Sequence, residues 1–162
     1  MLTTIIQNYD LSDIKRELKR FLDEGSKSPV VRELALGITK QTPYNNNQIE
    51  LIYDFVKTNI KYQPDPRSTE LFVAPWVMVE FYNKGIAAGD CDDLSLITGS
   101  LLLSIGYNAR LVLLDTNGEG FSHCIAQVYS DKVSSWINLD TSSRVPLGWE
   151  EKYYNKIIIE AS

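Results

Sequence analysis

The sequence predicts an α+β fold: N-terminal helices and a cysteine-bearing helix, packed on a small antiparallel sheet. Three observations carry that expectation. Apolar residues recur at helical spacing between residues 11 and 105. After Gly106 the pattern changes to short runs rich in β-branched and aromatic residues, the composition of strands. The gaps between those runs hold turn residues, Asn117-Gly118 in one and Ser130-Asp131-Lys132 in the next. Helices followed by strands, rather than alternating with them, define the α+β class.

Each element follows from its own signals. Leu11, Ile14, Leu18, Phe21 and Leu22 share one helical face over residues 11–24, with Asp10 as N-cap and Gly25 as the stop. Ser28-Pro29 opens a short helix through Ala35, closed by Gly37. Asn45 to Asn47 caps a third helix that carries Ile49, Ile52, Phe55, Val56 and Ile60. Pro64 and Pro66 lack amide donors, so residues 64–67 form an irregular loop ending at Arg67. Pro75 starts a helix over Trp76 to Lys84 that Gly85 ends, and Asp90 caps an amphipathic helix from Cys91 to Ile105. Strands are expected over residues 109–114, 121–129 and 133–139, with a last one over 156–159.

At 162 residues the chain fits one domain and can bury a core without covalent staples. Its net charge of -5 disfavours a phosphate-backbone partner, so no nucleic acid is expected. Lys15, Arg16, Lys19 and Arg20 alternate with Asp13, Glu17, Asp23 and Glu24, which is a solvated helix face. No apolar run is long enough to span a bilayer, and the first residues lack a basic and apolar leader. A cytoplasmic, reducing setting with no membrane partner is the expectation. Two cysteines exclude a disulfide framework, and Cys91 and Cys124 lack zinc-finger spacing.

The reactive residues form a pattern. Cys91 falls at a helix N-terminus, where free amides and the helix dipole favour a thiolate and can hold an oxyanion. A two-residue turn at Asp131-Lys132 makes Ser130 face Val133, and counting back along both strands sets His123 opposite Asp140. Such a pair would hold its Cβ atoms roughly 4.5–5.5 Å apart on one sheet face. A slip of one residue would break the pairing. A nucleophile, a base and an orienting carboxylate are what thiol catalysis needs. The reading also requires that His123 not lie on the far side of the sheet from Cys91. Cys124, next to His123 in a strand, faces the other way and reads as a core residue. Asp92 and Asp93 suit a helix's first turn but oppose a thiolate beside them, and Asp92 is the one expected in the cleft. Trp136 is a cleft candidate, and Tyr82 or Asn83 a candidate second oxyanion donor.

The motifs Gly89-Asp90-Cys91-Asp92-Asp93, Ser104-Ile105-Gly106-Tyr107, Ser122-His123 and Trp136-Ile137-Asn138-Leu139-Asp140 occur in this order, with Ile60-Lys61-Tyr62 upstream. The chain thereby resembles the transglutaminase-like (papain-like cysteine peptidase) superfamily, over residues 45–147, after a helical segment over 10–37. Its Gly-Asp-Cys-Asp-Asp variant resembles compact phage and prophage forms. The resemblance implies a Cys91–His123–Asp140 triad, acyl transfer on a protein or peptide amide, and no cofactor or metal. Hydrolysis is favoured over cross-linking because nothing marks an amine site. Two other readings stand beside it: a catalytically silent structural or assembly protein of a phage particle, in the host cell or the virion, and a metal held by Cys91, His123 and Asp140.

Overall fold

The start signals read in the sequence do cap helices. A computed structural model describes residues 3–7, 10–66 and 69–162 of the chain. Asp10 accepts from the Asp13 amide and opens α1 (Leu11–Ser26). Ser28 caps α2 (Pro29–Thr39), whose first residue is the proline, and Asn45 caps α3 (Asn46–Asn59). Pro75 begins α4 (Pro75–Asn83), and Asp90 caps α5 (Cys91–Ser104).

Two glycines do not stop their helices as expected. α1 runs through Gly25, where a Cβ would lie 2.5 Å from Ser100 Oγ and 2.6 Å from Pro75 Cγ. That glycine is there for the close approach of α1 to α4 and α5. α2 likewise passes Gly37 and ends at Thr39. A helical glycine costs only about 1 kcal/mol relative to alanine, which tertiary packing overrides.

The strands are β1 (Thr3–Gln7), β2 (Lys61–Tyr62), β3 (Thr69–Val73), β4 (Ala88–Gly89), β5 (Ala109–Asp115), β6 (His123–Ser130), β7 (Ser135–Leu139) and β8 (Asn155–Glu160). The main sheet is antiparallel in the order β7-β6-β5-β8. β1 pairs antiparallel with β3, and the short β2 runs parallel to β4; these two pairs were not anticipated. The expected loop through Pro64 keeps its irregular character up to Pro66, and Arg67 lies outside the described residues.

The β6–β7 register departs from expectation by two residues. Ser130 pairs with Ser135, Gln127 with Asn138 and Ala126 with Leu139. The turn therefore holds four residues, 131–134, and Ser134 takes the left-handed conformation with φ 51°. His123 and Asp140 are not directly opposite. A shift of two, however, keeps every side chain on its original face, whereas a shift of one would have reversed it.

The core lies between this sheet and the helices. Leu111, Leu113, Cys124, Ala126 and Val128 join the main apolar cluster, whereas Val112, Leu114 and Ile125 form a separate one on the other sheet face. α5 was expected to bury one face. It is buried on all sides from Asp92 to Leu102, because α1–α4 surround what the sheet does not cover. Leu96, Leu101 and Leu102 are wholly inaccessible to solvent.

Candidate active site

Local chemistry fixes Cys91 at the first turn of α5. Asp90 accepts from the amides of Asp92 (3.1 Å) and Asp93 (3.3 Å), and Asp93 accepts in return from the Asp90 amide. Asp93 also accepts from the Val73 amide at 2.9 Å, which ties the helix start to β3. Gly89 can have no side chain here, since a Cβ would come within 2.6 Å of Asp93 Cβ. Ser95 Oγ donates to the Cys124 carbonyl at 2.9 Å and docks α5 against the start of β6.

The histidine side is built by β6 and by the segment that follows β7. His123 Nε2 lies 2.8 Å from Asp140 Oδ2. Oδ1 of Asp140 accepts from the Ser142 amide (3.2 Å) and hydroxyl (3.1 Å), so both carboxylate oxygens are held. Tyr53 OH donates to the carbonyls of Val145 (2.6 Å) and Asp140 (3.3 Å), anchoring that segment on α3.

Strand alternation turns Cys124 toward α5 and His123 to the opposite face, beside Leu114 and Ile125. His123 thus lies on the sheet face away from α5, the placement that the sequence reading required it not to have. As the first residue of β6 it sits at the rim, and it is there that it borders a cavity shared with Cys91. Cys91 and His123 both line one cavity of about 420 Å³, together with Asp65, Glu70, Asp90 and Asp92. Among the described residues no hydrogen bond joins Cys91 to His123. The Cys91 sulfur instead lies 4.0 Å from Asp92 Oδ1.

The electrostatics differ from the expected activated thiol. Burial pushes the Cys91 thiol well above its ordinary value, and the carboxylates of Asp92 and Asp90 add to the rise. The Cys124 backbone works in the opposite direction but does not prevail. The helix-terminal position thus does not by itself give a thiolate. Burial also raises Asp90, to about 7, reinforced by Asp65 and Glu70. For His123 burial pulls the imidazole down, but the bond to Asp140 and the charges of Asp140 and Glu151 outweigh it, and the value rises. Burial pushes Asp140 up, yet its bonds to His123 and Glu151 hold it well below the usual carboxylate range.

Of the other residues singled out in the sequence, Asp92 lines the cavity and Cys124 is buried in the core. Tyr82, Asn83 and Trp136 are not brought there. Tyr82 packs edge-on against Phe55, at a centroid distance of 4.9 Å, and borders a different cavity. Asn83 is exposed at the end of α4. Trp136 carries Arg110 over its ring at 3.8 Å. Sequence reasoning missed Asp65 and Glu70, which arrive from the proline loop and β3, and Glu151, which arrives from the segment after β7. No local pattern marks any of the three. Asp65, Glu70 and Asp90 each place one carboxylate oxygen within 4.8 Å of the others, the donor set a hard cation would take. Among the described residues His123 and Asp140 group with Glu151 rather than with Cys91. Also among the described residues, no helix is long and apolar enough to cross a membrane.

A helix-borne cysteine, an antiparallel sheet and a histidine–carboxylate pair at its rim define a class. The transglutaminase-like superfamily profile matches residues 32–141, and the chain belongs to that superfamily. Two solved structures share its fold. One, described as a candidate protease of Parabacteroides distasonis ATCC 8503, is 12% identical with a TM-score of 0.58, covering 82% of this chain and 26% of that one. The other, a candidate cysteine protease of Cytophaga hutchinsonii, is 16% identical with a TM-score of 0.55, covering 96% of this chain and 61% of that one. The chain therefore spans about a quarter and three fifths of the length of these two structures. No curated protein sequence matches it significantly.

Proposed function

We propose that this chain is a cysteine-dependent acyl-transfer enzyme acting on a protein or peptide amide, with Cys91 as nucleophile, His123 as base and Asp140 as the group that orients the imidazole. One observation carries the reading: Cys91 and His123 border the same cavity while His123 Nε2 is committed to Asp140 at 2.8 Å. Nδ1 is then the ring nitrogen that exchanges a proton with the thiol. The thiol proton passes to Nδ1 as the sulfur bonds to the amide carbon. Collapse of the tetrahedral intermediate breaks the C–N bond, and the leaving amine takes the proton from the imidazolium. Water, giving its proton to His123, then attacks the thioester, and the acid and free thiol result. Because the first-turn amides of Asp92 and Asp93 already serve Asp90, the Cys91 amide is the candidate oxyanion donor. Hydrolysis is favoured over cross-linking.

A second reading, a silent member serving as a structural or assembly component, draws on the raised Cys91 thiol and the carboxylates around it. One experiment separates the two. A thiol-directed acyl probe should label wild type and Cys124→Ala but not Cys91→Ala. Equal labelling of both cysteines, or none at either, would overturn the enzymatic reading.

A further inference from the structure

We propose that Glu151 is a positioning residue for the His123–Asp140 pair: a second carboxyl, delivered by the segment between β7 and β8, whose charge sets how firmly the imidazole holds its proton. The proposal deepens the enzymatic reading above and rests on it. The argument begins with topology. β7 ends and β8 begins at the same end of the sheet, where β6 starts and β5 stops. Residues 140–154 must therefore cross that end, from one edge of the sheet to the other, past His123. The crossing is pinned along its length. The Gly148 amide donates to the Asn138 carbonyl at 2.9 Å, Asn138 Nδ2 to the Trp149 carbonyl at 3.1 Å, and the Tyr154 amide to the Asp115 carbonyl at 2.8 Å.

Between the last two anchors, Glu151 places a carboxylate oxygen within 4.8 Å of both an Asp140 oxygen and a His123 ring nitrogen. It is half-buried, whereas its neighbours Glu150 and Lys152 are exposed. The groups facing it are Asp140, from the end of β7, and His123, from the start of β6. Two carboxyls this close do not both ionise freely. Burial and the Asp140 carboxylate raise Glu151 above its ordinary value. While protonated, Glu151 donates to Asp140 and leaves one negative charge against the imidazole. Once ionised, it adds a second charge and holds the imidazolium more firmly, which makes His123 a stronger base and a weaker acid. An ionised Glu151 is therefore the form that suits the first proton transfer from Cys91, and a neutral one suits the later transfer from the imidazolium to the leaving amine.

The sequence contains one histidine, so its imidazole can be titrated by NMR without assignment ambiguity. Glu151→Gln keeps a donor toward Asp140 but removes the charge, and should lower the His123 midpoint by about half a pH unit or more. Glu151→Asp, which keeps the charge, should titrate closer to wild type. Thermal melting of both variants confirms that they are folded. A Glu151→Gln midpoint coincident with wild type would overturn the proposal. Absence of probe labelling at Cys91 would sink the enzymatic reading but leave this titration unaffected, so the two failures are distinguishable.

Discussion

Two carboxylate-bearing walls meet at the cavity, and they treat their reactive residues differently. On the α5 wall, burial with Asp90 and Asp92 keeps the Cys91 thiol protonated. On the β6 wall, Asp140 and Glu151 overcome burial and favour the protonated imidazole. Negative charge raises both pKa values, but with opposite effects on charge. It withholds the anion from one partner and stabilises the cation of the other. The thiol wall therefore limits reactivity, and the imidazole wall supplies the better-prepared group.

The strongest test of that asymmetry removes each reactive atom in turn. Cys91→Ala should abolish turnover and probe labelling completely, with Cys124→Ala unaffected. On the other wall, His123→Ala should lower turnover by about 10²–10⁴-fold, the range of a lost general base. Asp140→Asn should cost somewhat less, about 10²–10³-fold, because the ring loses its orienting charge but keeps a hydrogen-bond partner. A loss from Asp140→Asn exceeding that of His123→Ala would show that the carboxylate does more than hold the ring.

Weakening the thiol wall should have the reverse sign. Burial and the neighbouring carboxylates raise Asp92 itself well above its ordinary value, so its charge bears on Cys91 mainly at alkaline pH. There iodoacetamide should alkylate Asp92→Asn about three to tenfold faster than wild type. The midpoint of its pH–rate profile should move to lower pH. An unchanged midpoint would leave burial, with Asp90, as the cause of the raised thiol.

The same wall predicts how stability varies with pH. Asp90 is raised in the folded chain to about 7, so its contribution is greatest below the unfolded value near 4 and is lost as pH rises through 7. Asp140 is lowered, so its contribution is present above about 4 and is lost only in stronger acid. In chelator-treated protein, melting temperatures should peak at about pH 4–5, and Asp90→Asn should flatten the fall between there and neutrality. The smallest contrast is between two glycines. Gly25→Ala puts a methyl against Ser100 and Pro75 and should destabilise by about 1–3 kcal/mol, whereas Gly37→Ala, with open space, should stabilise by up to about 1 kcal/mol. Chemical denaturation reads both.

Much of this arrangement was legible in the sequence because it is local. Asp10, Ser28, Asn45 and Asp90 announce their helices, and the alternation in residues 109–139 announces the strands. Juxtaposition of His123 with Asp140 was legible only by parity. The turn is two residues longer than the shortest hairpin, because Ser134 adopts a left-handed conformation that nothing in Asp131-Lys132-Val133-Ser134 demands. A two-residue error keeps the face, so the pair survived it. Asp65 and Glu70 at the cavity and Glu151 beside the His123–Asp140 pair were not legible, because each arrives by tertiary routing rather than by local spacing. The raised thiol was half legible: Asp92 and Asp93 were seen to oppose a thiolate, but the full burial of α5 was not foreseen.

That burial has a consequence for how the fold can change over time. The chain's apolar investment lies in the middle of α5, from Leu94 to Leu102, whereas the thiol sits one turn away, at a partly open end. Chemistry and folding are therefore carried by different residues of one helix. Replacing Cys91 with serine should leave the melting temperature almost unmoved, so the scaffold can lose its reaction in a single step and go on folding as before.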